Sequence, residues 1–412
     1  MGVLSGRRRK ILTRRILAGG LPSDGLRRPR SQVTAPGLWT HRAIVGQSGR
    51  MTNLADALMQ GPRGRRICLE YVVRADDAVR SAVFWLGHEQ DPNPGVLLHF
   101  VSEGSDGEND PSYSEGEVAA LIDSVDLTTS IRPDIVRDSL QASVDHARYW
   151  QEPDGEDAVA ALPTIRSALR RVAEQLVTAT PDLTASRRTA QWAVNWQPLS
   201  DTAPLQFTPD VLLAEWTRTQ REEETRAAHE LPADPRANVS GTWWSVPQRL
   251  LTTWGSALDA LELVEDSPGW EVATVIPVRG AGETLEIQSP QDWADLCREY
   301  PREVTASRRH DWFRVTGQDK RWLIPDWQRV AERWDAVHLT TLGYLSAATQ
   351  LIEIDAEYAS VIGGWAPNST VWLTDVARET DAVREQWTRP RNDWHWSQTM
   401  HPGQPPAERI PN

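Results

Sequence analysis

A chain of 412 residues with a formal net charge of −13 is longer than one ordinary domain at roughly 150 residues each, and reads as two domains with tails. No apolar run approaches the roughly 18 residues of a membrane-crossing helix. The two cysteines, Cys68 and Cys297, fall one in each expected domain on buried faces, which argues against a disulfide framework and fits a reducing cytoplasm.

Residues 1–50 hold eleven Arg and Lys against Asp24 alone, +10 in all, which leaves −23 for the rest. An acidic body of that kind is a poor binder of phosphate backbones, so nucleic acid is not expected as a partner, nor is a membrane. With Arg7-Arg8-Arg9-Lys10, Arg14-Arg15 and Arg27-Arg28 but no sustained periodicity, 1–50 reads as a disordered basic arm or as a stretch ahead of a true start at Met51. A first helix is expected over 54–59. From Arg66, the residues Ile67, Leu69, Tyr71 and Val73 alternate with Cys68, Glu70 and Val72, the period of a strand. With the runs 82–86 and 96–101 behind turn-rich segments, this predicts a three-stranded meander. Ser114 and Glu117 have capping-box spacing before 118–122, Pro133 opens a helix expected to reach Trp150, and Pro163 opens another to Thr178. Strands followed by helices give a small α+β N-terminal domain over 51–180.

The connecting region 181–237 holds a strand at Trp192, Val194 and Trp196 and a helix from Pro209 through Glu224, whose run 219–226 reads as a solvated face. A Trp-rich, strand-rich α+β C-terminal domain is expected over 238–378. It has strand-like segments at 242–246, 261–264, 271–278, 284–287, 336–339, 351–354 and 370–373, and short helices at 247–254 and 344–349. Of 20 tryptophans, 17 lie from Trp192 onward. Each removes on the order of 200 Å² from water when buried, about 5 kcal/mol, so a Trp is core until shown otherwise. Residues 379–412 read as a disordered tail.

The densest stretch is 289–341. Asp292-Trp293 and Asp326-Trp327 begin two segments with apolar residues at the third, fourth and seventh positions after the Trp, which predicts two short helices capped by acids around a non-helical insert. That insert is a basic island. Arg308, Arg309 and Arg314 supply guanidinium forks and Trp312 an indole face, the groups that would hold a small anionic ligand. His310 and His338 are candidate acid–base groups and Glu353 a candidate catalytic carboxylate. The alternative reading pairs these arginines with neighbouring acids and puts the tryptophans in the core; only Lys10 and Lys320 are lysine, so arginine is a weak signal in this chain. No motif calls for a cofactor. For metal, Glu353, Asp355 and Glu357, or His146 with Glu152 to Asp157, are more simply solvated side chains than ligands.

The segments Tyr149-Trp150-Gln151-Glu152-Pro153-Asp154-Gly155-Glu156-Asp157, Gly241-Thr242-Trp243-Trp244-Ser245, Thr305-Ala306-Ser307-Arg308-Arg309-His310-Asp311-Trp312 and Asp335-Ala336-Val337-His338-Leu339-Thr340 resemble a family of uncharacterised actinobacterial proteins, over about 51–375. That resemblance implies no activity. The C-terminal half is faintly similar to the ADP-ribosyltransferase fold, where an aromatic-Ser strand end precedes a helix and a late Glu completes an NAD site. Trp244-Ser245 before 247–254, and Glu353 or Glu357, would take those places; no Ser-Thr-Ser is present and the opening basic residue has no match. Two functions therefore stay open: a non-catalytic intracellular protein that recognises a protein partner or an anionic ligand through its C-terminal domain, and an enzyme acting on a nucleotide-type substrate.

Overall fold

The computed structural model describes residues 47–93, 111–127, 131–196, 208–265, 267, 269–391 and 393–399. All of these lie within one compact unit, Gly46–Asn412. Its first part is helical: α1 (Gln47–Gln60), α2 (Pro62–Ala75), α3 (Asp77–Gln90), α4 (Glu115–Ser124), α5 (Pro133–Asp145), α6 (Gly155–Ala161) and α7 (Pro163–Ala179).

Here α2 and α3 replace the first two strands of the expected meander, and its third strand, 96–101, lies outside the described residues. The alternation in 67–73 misleads because α2 is covered on nearly every side: Ile67, Cys68, Leu69, Tyr71 and Val72 are buried, and so are Arg66 and Glu70. An all-round buried segment has no period to read. The local signals that decide are the Pro in the first turn of α2 and Asp76, which caps α3 by accepting the amides of Ala78 and Val79 at 2.8 and 3.0 Å. The expected helix from Pro133 stops at Asp145, where the ring of His146 turns back to the Ala142 carbonyl at 2.8 Å. α3 and α6 meet glycine to glycine, since a Cβ on Gly155 would stand 1.9 Å from the Gly87 oxygen.

The second part follows in the order β1 (Ala190–Asn195), α8 (Pro209–Glu230), β2 (Thr252–Trp254), α9 (Ala257–Glu262), β3 (Val272–Gly280), β4 (Thr284–Ile287), α10 (Pro290–Glu299), β5 (Pro301–Glu303), α11 (Thr305–Thr316), β6 (Arg321–Pro325), α12 (Trp327–Val330), β7 (Ala336–Leu339), α13 (Thr341–Ala347), β8 (Ile352–Glu353), β9 (Tyr358–Ser360), β10 (Ser369–Trp372), β11 (Ala377–Glu379), β12 (Glu385–Thr388) and β13 (Ser397–Gln398). The larger sheet has the order β13-β12-β3-β1-β2-β10-β7-β4, with β11 also on β3, and is antiparallel except between β4 and β7. The smaller has the order β5-β6-β9-β8. Helices with mixed sheets make the α+β fold that the sequence predicts.

Several segments differ from expectation. Residues 242–246 are coil rather than strand, 247–250 is a turn leading into β2, and 261–264 ends α9, which Ser256 caps by accepting the Asp259 amide at 3.1 Å. The insert between the two Asp-Trp segments is itself a helix, α11, while the second segment forms only the single turn of α12. Beyond Thr380 the expected frayed tail supplies β12 and β13: β12 pairs with β3 over Val272 to Val275, and Trp396 is buried beneath them. An edge strand as long as β3 presents a row of unpaired amides and carbonyls, and this returning segment satisfies them.

No break in the core marks the boundary expected near 180. Leu69 and Val172 of the helical part belong to the same buried cluster as Ile287, Trp293, Trp327 and Leu339. No helix among the described residues is long and apolar enough to cross a membrane.

Candidate active cleft

Arg308, His310 and Trp312 of the basic island face inward, while Arg309 and Arg314 are half-buried. Arg308, on α11, is fully buried and donates to Ser307 Oγ at 2.9 Å, to the Trp244 carbonyl at 3.1 Å and to the Gln220 side chain, with Glu223 at 3.6 Å. Burial pulls its pKa down to about 10. Arg309 donates to the Ala233 carbonyl at 2.9 Å. His310 is buried with Nε2 3.1 Å from the Pro232 carbonyl, and burial lowers its pKa. Arg314 pairs with Asp311 at 2.9 Å and reaches the Ala237 carbonyl at 3.2 Å. Trp312 is fully buried and gives its indole N–H to the Trp243 carbonyl at 3.0 Å.

The other candidates lie elsewhere. His338 is buried in β7 of the larger sheet, Nδ1 2.9 Å from Thr370 Oγ1, with its pKa pulled down to about 4 by burial. Glu353 is exposed on β8. His310, His338 and Glu353 thus stand on three elements with separate surroundings. Among the described residues no group of three His, Cys, Asp or Glu could hold a metal ion.

The island helps to hold the coil that lines a large cleft. Residues 242–245 belong to no strand, so their carbonyls need partners from elsewhere. Three consecutive ones have them: Trp243 from Trp312 at 3.0 Å, Trp244 from Arg308 at 3.1 Å, and Ser245 from the Trp327 indole at 2.9 Å. The α8 run expected to be solvated anchors the same helix, because Glu224 accepts the amides of Ala306 and Ser307 at 2.6 and 2.9 Å in the first turn of α11. Ser245, which the ADP-ribosyltransferase resemblance singles out, is buried; its Oγ donates to the Gly363 carbonyl at 3.1 Å and accepts the Gly363 amide at 2.9 Å.

The cleft encloses about 600 Å³, a volume suited to a small organic molecule, and its walls include Trp196, Trp243, Trp244, Trp254 and Trp365. Tyr149, Trp243 and Trp244 form a continuous stack, with ring centroids 5.1 and 4.9 Å apart. Gln248 fixes one side by donating to the Gly364 carbonyl at 3.2 Å.

Glu265 is the acid lining this cleft. It retains partial exposure, while its carboxylate accepts three hydrogen bonds: Tyr149 Oη at 2.6 Å and Tyr344 Oη at 2.9 Å on Oε1, and the Gly364 amide at 3.1 Å on Oε2. No arginine, lysine or histidine forms a salt bridge with it among the described residues. Burial pushes its pKa up to about 7 against the restraining effect of the three donors. An acid that titrates near neutrality in an aromatic cleft can accept or release a proton, or face a cation.

Sequence reasoning missed Glu265. It sits in an ordinary acidic turn after α9, close to Glu262, and nothing local separates it from its neighbours; its tyrosine partners come from 116 and 79 positions away. The tryptophan pair Trp243-Trp244 is the signal visible in the sequence, where it reads as core. In comparisons with protein-family models, with curated proteins and with solved structures, nothing matches this chain.

Proposed function

We propose that this chain is a binding protein whose tryptophan-walled cleft takes a small organic cation, with Glu265 as its counter-ion. The observation that carries the reading is an acid with no salt bridge among the described residues in a cleft lined by several indoles. Indole faces attract cations through the ring quadrupole, and a desolvated carboxylate is stabilised by an opposite charge close by. The expectation of non-catalytic recognition is kept. Its location moves from the island to the cleft that the island supports, and the ligand's charge is reversed. A reducing cytoplasm remains part of the reading, supported by the free, buried thiols of Cys68 and Cys297.

A desolvated cation–indole contact and a charge-assisted contact together supply roughly 4–6 kcal/mol, which corresponds to a Kd between about 1 mM and tens of micromolar for a minimal ligand. Choline, titrated at pH 8 and followed by tryptophan emission, is the probe. It should give a saturable change, while its uncharged carbon isostere, 3,3-dimethylbutan-1-ol, gives none. Equal responses to the two would leave an apolar cleft with no preference for charge and would overturn the reading.

A further inference from the structure

Among the described residues that line the tryptophan cleft, Glu265 is the one acid, and most of its lone pairs are taken. Oε1 accepts two donors, Tyr149 Oη at 2.6 Å and Tyr344 Oη at 2.9 Å, and Oε2 accepts the Gly364 amide at 3.1 Å. A carboxylate offers about four lone-pair positions, so about one is left. Both tyrosines are fully buried, which keeps their own oxygens out of a ligand's reach.

Carbonyls of the lining are engaged as well. Those of Trp243 and Trp244 take the Trp312 indole at 3.0 Å and Arg308 at 3.1 Å, that of Gly364 takes Gln248 at 3.2 Å, and that of Ala366 takes Ser369 Oγ at 2.6 Å. Gln248 is itself exposed, as is Arg249, whose charge is paired with Glu215 at 2.7 Å. The indoles of the walls attract a positive charge through their faces, which accept no conventional hydrogen bond.

We infer that the cleft selects an ammonium ion whose nitrogen carries no more than one N–H, quaternary or tertiary, over a primary one. This rests on the cation reading above and names the ligand class within it. A primary ammonium brings three N–H donors and a tight hydration shell. On entering the cleft it would exchange that shell for about one free carboxylate position, and donors left without a partner are costly wherever water is displaced. A tertiary ammonium has a single N–H, which that position accepts. A quaternary one has none; its alkyl groups meet the indole faces while the carboxylate balances its charge. Amino acids, polyamines and lysine side chains are by the same count poor ligands.

The probes are choline, N,N-dimethylethanolamine and ethanolamine, titrated into the full chain at pH 8 and followed by tryptophan emission. The two amines stay protonated at that pH, as aliphatic amines do, so all three ligands are cations. Choline and the dimethyl compound should bind within about threefold of each other, and ethanolamine about tenfold or more weakly than choline, the loss expected for a buried donor left unpaired. A loss of more than about threefold at the first N–H would follow methyl contact rather than donor count, and an ethanolamine affinity within about threefold of choline's would mean that acceptors are not limiting. Either result would overturn the inference and leave the cation reading standing. No saturable response to choline would overturn both together.

Discussion

Trp312 donates its indole N–H to the Trp243 carbonyl at 3.0 Å, tying the middle of α11 to the wall of the tryptophan cleft across 69 positions of sequence. The residues that look most like a ligand site in the sequence are therefore supports of the wall of that cleft. Trp312→Phe keeps most of the ring volume and removes that donor. It should cost roughly 1–3 kcal/mol in urea unfolding, the penalty of leaving a buried carbonyl unsatisfied, and should weaken choline binding although Trp312 is not part of the cleft lining.

Arg308→Met tests the same support through charge. The substitution leaves Glu223, Gln220 and the Trp244 carbonyl without their guanidinium partner. Removing one member of a buried ionic group costs roughly 3–5 kcal/mol. A loss under 1 kcal/mol would show that Arg308 is not a buried anchor.

Arg66 probes the helical part. It is almost completely buried and meets Glu70 and Asp154, each at 2.8 Å, Asp157 at 3.2 Å, and Glu156 as well, joining α2 to α6. Arg66→Met should destabilise by roughly 3–5 kcal/mol in denaturant unfolding. A strand over this segment, as the alternating pattern predicts, would leave Arg66 on a face opposite Ile67, and its replacement would then be nearly neutral.

Glu265 should make stability depend on pH with a definite sign. Its pKa rises from 4.5 to about 7 on folding, so between those values the folded protein holds more protons than the unfolded chain. Stability from this group is therefore fully present below pH 4.5 and falls as pH rises to 7, by about 3 kcal/mol. Glu265→Gln should abolish that component. The check is the difference between the two proteins' unfolding free energies at pH 5 and pH 8; a constant difference would mean that burial does not raise this carboxyl.

The parts of the fold that were legible are those with local punctuation. Ser114 and Glu117 form the reciprocal cap at the start of α4, and Pro133, Pro163 and Pro209 stand in the first turns of α5, α7 and α8. β3, β4, β7 and β10 show as short apolar runs between turn residues. α2 was not legible, because a helix buried on most sides has lost the polar stripe that gives its period. Glu223 and Glu224 looked solvated, since the residues around them on α8 are charged and α11 is remote in sequence. Glu265 was hidden for a related reason: its character comes from Tyr149, Tyr344 and Gly364, which only the folded chain brings to it.

The most direct test of the cation reading is the choline affinity at pH 8 and pH 5.5, in the unaltered protein and in Glu265→Gln. With a pKa of about 7, only a few per cent of Glu265 is ionised at pH 5.5, so the apparent Kd should rise about thirtyfold over its value at pH 8. Glu265→Gln should bind choline weakly and equally at the two pH values. The same strong affinity at both pH values, or in the variant, would contradict the assignment of Glu265 as the counter-ion.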